Sequence, residues 1–144
     1  MKKIAIFLIV LTSTLFSCSS SDDSVTINPQ SLLGKWYIKG GTENGGPFVN
    51  YNNKCATQRD FQEFFNNGTI TFNGYAIDCE PTNISSSIWS VSGNILTVSS
   101  TNFDPMIYEY VYTVESLTSE ELIVVQTVND PEGTFVNRNT YTRN

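Results

Sequence analysis

The sequence predicts an all-β domain: an eight-stranded antiparallel up-and-down barrel, with a two-sheet β-sandwich as the alternative. Three observations lead there. Aromatics, Thr, Val and Ile are plentiful and Ala is scarce, a composition that suits strands. Eight runs of apolar/polar alternation follow one another between Leu32 and Arg143, with no convincing helix among them. Most are joined by short connections, which makes sequential neighbours antiparallel. A meander of this kind closes most naturally on itself, because closure removes exposed edges.

The first run is Leu32-Leu33-Gly34-Lys35-Trp36-Tyr37-Ile38. Gly34, lacking a Cβ, lets the backbone bend where the strand opens. Trp36 and Ile38 then share one face, and Lys35, Tyr37 and Lys39 the other. A Gly-x-Trp on the opening strand resembles the lipocalin superfamily signature, in which the Trp closes one end of an eight-stranded barrel. The chain is most similar to the lipocalin-like domains of short bacterial lipoproteins of the Bacteroidetes type, over roughly residues 31–144.

Residues 40–53 are rich in Gly, Asn and Pro and read as a long loop. In lipocalins the corresponding loop caps the open end. Phe48, Val49 and Tyr51 are apolar enough to act as a lid or, equally, to plug the barrel end. The next hairpin is the best-specified local feature. Phe61–Phe65 and Thr69–Tyr75 flank Asn66-Asn67-Gly68, a three-residue loop in which Gly68 takes a positive φ. That register pairs Phe64 with Ile70 and Gln62 with Phe72; a two-residue Asn67-Gly68 turn would shift it by one. The first register also sets Cys55 opposite Cys79 at the far end of the hairpin, where a cross-link is geometrically reasonable.

Residues 78–86, with Pro81, read as a loop. Ile88–Ser92 and Ile95–Ser100 flank Gly93-Asn94, a two-residue hairpin signal that pairs Trp89 with Val98 and Val91 with Leu96. After a turn at residues 102–105, Met106–Glu115 alternates: Met106, Tyr108, Tyr110, Tyr112 and Val114 share a face, with Glu109, Thr113 and Glu115 opposite. Charged residues belong in water, so the tyrosine column should point inward. Leu122–Val128 is apolar on both faces, and Thr134–Arg143 is the last strand.

The front of the chain reads as a targeting segment. Lys2 and Lys3 precede an apolar run from Ile4 to Phe16, too short for a retained spanning helix. Leu15-Phe16-Ser17-Cys18 resembles a bacterial lipobox, though Phe16 is bulkier than usual there. On that resemblance residues 1–17 are a lipoprotein signal peptide, and Cys18 carries palmitate-type acyl chains that hold the protein on a membrane. The alternative is plain secretion. Residues 18–30, opening on Ser19-Ser20-Ser21-Asp22-Asp23-Ser24, read as a flexible tether. The Ser/Asp run is similar to a surface-export signal of Bacteroidetes lipoproteins, although a bland tether looks much the same. The expected location is the outer membrane of the cell envelope, lipid-anchored, and exposed at the surface if that signal operates.

Composition then narrows the function. From Cys18 onward the chain holds six basic residues against fourteen acidic, a formal charge of −8. That argues against nucleic acid and against electrostatic attachment to anionic lipid. No histidine is present, so the commonest general base and metal ligand is missing. No inward-facing carboxylate pair can be proposed: Glu120-Glu121 sits in a turn, Asp22-Asp23 in the tether, and Glu63 opposite Phe64. The expectation is a monomeric protein that is not an enzyme and has neither metal nor cofactor. In an exported chain Cys55 and Cys79 are expected to form a disulfide, worth about 3 kcal/mol in the chain-entropy model.

An eight-stranded barrel can hold one small ligand or be filled by its own side chains. The candidate ligand-binding residues are Trp36, Phe64, Phe72, Trp89, Tyr108, Tyr110 and Tyr112. They suit a small hydrophobic molecule with a polar group, since each buried Tyr hydroxyl needs a partner. Two readings remain. One is an envelope carrier with a cavity above about 300 Å³ opening near residues 40–53. The other is a tethered interaction module with a solid barrel, whose loops meet a protein or glycan.

Overall fold

The computed structural model describes residues 26–100 and 108–144, with Asn83 described in its backbone alone. The expected signal peptide, Cys18, the first part of the tether and Met106 lie outside these residues.

Among the described residues nine strands run in chain order: β1 Gly34–Glu43, β2 Val49–Asn50, β3 Phe61–Phe64, β4 Thr69–Tyr75, β5 Pro81–Ser92, β6 Ile95–Ser100, β7 Glu109–Leu117, β8 Glu121–Asp130 and β9 Gly133–Thr142. Each consecutive pair from β3 to β9 is antiparallel. β1 pairs with β3 along one edge, from Gly34↔Phe64 to Tyr37↔Phe61, and with β9 along the other, from Tyr37↔Thr142 to Glu43↔Asn137. This double pairing closes eight strands into a barrel; a sandwich would have left β1 and β9 on separate edges. The two-residue β2 is an addition beside β1.

The hairpin registers follow local turn chemistry. Gly68 has φ +81° and Gly93 φ +62°. Phe64 faces Ile70, Gln62 faces Phe72, Trp89 faces Val98 and Val91 faces Leu96. Gly34 opens β1 at φ +98°, a backbone that L side chains rarely adopt.

Three expectations change. Residues 81–86, expected as loop, are strand: β5 begins at Pro81 and pairs with the whole of β4. The Ser/Thr/Asn run is a weak strand former, but the long edge of β4 needs partners for its N–H and C=O groups, and that requirement decides. The 40–53 loop is shorter than expected, because β1 continues to Glu43. Here two glycines are needed. A Cβ on Gly40 would stand 2.2 Å from the Val49 carbonyl oxygen, and one on Gly41 2.5 Å from that of Arg138. Finally, residues 27–30, expected as part of the tether, pack against the barrel. Ile27 is buried in the core and its N–H donates to the Gly93 carbonyl at 2.9 Å.

The core sits at one end of the barrel. Ile27, Leu32, Trp36, Phe64, Ile70, Leu96, Val114, Leu122, Val124 and Tyr141 form it. Trp36 is fully enclosed, and its Nε1–H donates to the Leu32 carbonyl at 2.7 Å. A short 3-10 turn, Pro29–Ser31, capped by Asn28, lies across this end. Arg143 stacks on Trp36 at 4.1 Å and donates to the carbonyls of Leu33 (2.9 Å) and Ser31 (2.8 Å). The barrel is therefore shut where β1 begins and β9 ends.

Candidate functional site

The opposite half of the barrel is not filled. A cavity of about 460 Å³ is bounded by β3 to β7. Strand pairing fixes which side chains face it. Ile70 pairs with Ser87, Phe72 with Ser85, Ser87 with Ser100 and Val98 with Tyr110, so all share the inner face with the core residues Phe64 and Leu96. Gln62, Ile70, Phe72, Ser85, Ser87, Val98, Ser100, Tyr110 and Tyr112 line the cavity, with Ile84 at its edge. Below it a void of about 40 Å³ separates Gln62, Val98 and Tyr112 from Leu122, Val124 and Tyr141. That is room for about one water, so the barrel is solid from there down.

The wall is amphipathic. Ile70, Phe72 and Val98 give apolar surface, and six neutral polar side chains stand among them. The Gln62 amide and the hydroxyls of Ser85, Ser87, Ser100, Tyr110 and Tyr112 make no hydrogen bond to another described residue. Burial raises the Tyr112 phenol above its ordinary value, helped by Tyr110 beside it. Burial likewise raises Tyr141, with Tyr112 adding to the shift. Both rings therefore stay neutral at physiological pH.

A second recess of about 420 Å³ lies against β1, β2 and β9, lined by Ile38, Glu43, Val49, Tyr51, Asn137 and Asn139 among others. The expected cavity is thus in the open half, but the larger chamber is not the one beside the 40–53 loop. Phe48, Val49 and Tyr51 line none of that larger chamber. Tyr51 is fastened instead: its hydroxyl donates to Asp60 Oδ2 at 2.6 Å. Burial and this bond push the Tyr51 phenol up to about 12. Asp60 is buried, accepts the Tyr75 N–H at 3.0 Å on its other oxygen, and donates its own N–H to Asn53 Oδ1 at 2.8 Å. Cys55 and Cys79 are joined beside this knot, pinning the 51–60 segment to the β4–β5 turn.

Of the seven candidate ligand-binding residues, Phe72, Tyr110 and Tyr112 line the larger cavity. Trp36 and Trp89 do not. Trp36 is at the sealed end, and Trp89 packs edge-on to Phe64 at 5.3 Å, its Nε1–H shared between the Phe65 and Thr69 carbonyls. Phe64 borders the small void and not the larger cavity. Tyr108 stands just before β7, 45% exposed, outside the lining. Alternation gives the inward face, not the height along the barrel axis, and height divides these residues. Sequence reasoning missed Ser85, Ser87 and Ser100 as lining. Ser85 falls within the 78–86 stretch expected as loop, Ser87 lies just before the expected Ile88–Ser92 strand, and Ser100 ends the expected Ile95–Ser100 strand, past the inward Val98.

Residues 32–124 match the family of lipocalin-like domains. No curated protein matches the chain. Among solved structures, a lipocalin-like protein from Bacteroides uniformis aligns at 18% identity and TM-score 0.52, covering 76% of this chain and 97% of that one. Lobster apocrustacyanin A1 aligns at 16% identity and TM-score 0.56, over 81% and 63% of the two chains. An odorant-binding protein aligns at 13% identity and TM-score 0.50, over 83% and 76%. At these identities the likeness is one of fold.

Proposed function

The chain belongs to the lipocalin-like domain family, and from that premise we propose that it is a membrane-anchored envelope carrier that holds one small hydrophobic molecule in its open half. The observation that carries this reading is the unfilled cavity of about 460 Å³ between β3 and β7. It lies within the usual range for small-molecule sites, roughly 300–1,000 Å³, and combines apolar wall with a few convergent polar groups. A solid interaction module fits less well, since only the Trp36 half of the barrel is packed. The name of the odorant-binding relative adds a precedent of ligand binding on this fold. Anchoring rests on the lipobox-like Leu15–Cys18 stretch.

Native mass spectrometry of the protein released from its own host tests the reading. A copurified adduct of lipid-like mass is expected. Consistently bare protein, which also takes up no apolar probe when one is added, would count against a carrier.

A further inference from the structure

The basic side chains of the barrel lie away from the β3–β7 cavity. Six basic residues follow the front segment, and all lie among the described residues. Lys35 sits over the Phe61 ring at 4.5 Å, and Arg59 over Tyr37 at 4.6 Å while donating to Thr142. Lys39 pairs with Glu121, and Arg138 with Glu115. Arg143 is committed to Trp36 at the sealed end. Lys54 is exposed in the 51–60 segment. None lines the cavity of β3–β7, whose walls hold no charged side chain among the described residues. Among the described residues, the charged side chain on the neighbouring recess is the carboxylate of Glu43.

A carboxylate drawn into this space would lose water and meet no counter-charge, and an unpaired buried ion is strongly disfavoured. Neutral polar groups meet the opposite situation. The Gln62 amide, three serine hydroxyls and two phenols offer both donors and acceptors. We infer that the ligand is an uncharged amphipathic molecule, with an apolar body and hydroxyl, carbonyl or amide groups that bond to Gln62, Ser85, Ser87 and Ser100, and that fatty-acid carboxylates are rejected. This inference rests on the carrier reading.

The test is displacement of the neutral fluorophore N-phenyl-1-naphthylamine from the purified domain. Competitors are decanol, decanoate and decylammonium, at pH 8 and 0.15 M salt, where the Debye length of about 8 Å damps the net charge of the domain. Decanol should displace the probe, and decanoate should need about tenfold or more higher concentration, the ratio that about 1.4 kcal/mol produces. Gln62→Lys should narrow that gap by giving the carboxylate a partner; Ser100→Lys, where β6 ends, serves if the first variant does not fold. Decanoate or decylammonium displacing as well as decanol overturns the inference while leaving the carrier reading standing. A domain that never binds the probe overturns both.

Discussion

The guanidinium of Arg143 lies 4.1 Å above the ring of Trp36, so the last strand seals the barrel against the first. Trp36→Ala should cost about 3–5 kcal/mol, the range for a fully buried large side chain. Arg143→Ala should cost about 1–2 kcal/mol, because it removes a half-buried cation–π contact and the hydrogen bonds to the Ser31 and Leu33 carbonyls. Arg143→Lys should recover only part, since one ammonium cannot span both carbonyls as the planar fork does. Urea unfolding measures all three.

Reducing the Cys55–Cys79 bond should lower stability by about 3 kcal/mol, with the 51–60 segment loosening first. Urea midpoints with and without reductant give the number. Because neither cysteine lines the β3–β7 cavity, probe affinity should change far less than stability.

Alkali should unfold the domain through its phenols. Tyr51 is raised to about 12 in the folded state, and Tyr112 and Tyr141 are raised as well, against about 10 for unfolded tyrosine. A raised folded pKa means stability fully present below pH 10 and lost as pH climbs from about 10 towards 12. Unfolding free energies at pH 8, 10 and 11.5 should therefore fall in that order. Tyr51→Phe should flatten the fall; a rise over the same window would be inconsistent with these shifts.

Cys18→Ser should move the protein from the membrane pellet to the soluble fraction of its host. Retention on the membrane by the serine variant would refute lipid anchoring at this residue.

Much of the fold was legible because its registers are set locally. Asn66-Asn67-Gly68 and Gly93-Asn94 leave little choice of turn, and each pins the partners of a whole hairpin. The strand from Pro81 to Ser86 was not legible: its own residues favour a loop, and pairing along the edge of β4, the strand just before it, draws it into the sheet. The lumen was half legible. Phe72, Tyr110 and Tyr112 could be assigned inward from alternation, but whether an inward ring lies at the sealed end, as Trp36 and Trp89 do, depends on the stagger of all eight strands together.

Ser87 is an inward position midway along the cavity, paired with Ile70 on one side and Ser100 on the other. Ser87→Trp would fill much of the space while leaving the sealed core untouched. Titrating N-phenyl-1-naphthylamine into the wild-type and Ser87→Trp domains, each checked for an intact barrel by circular dichroism, is the most direct measurement. Saturable one-to-one binding to wild type, and its loss in the folded variant, is the predicted result. Equal binding by both would place the ligand somewhere other than the β3–β7 lumen and contradict the account.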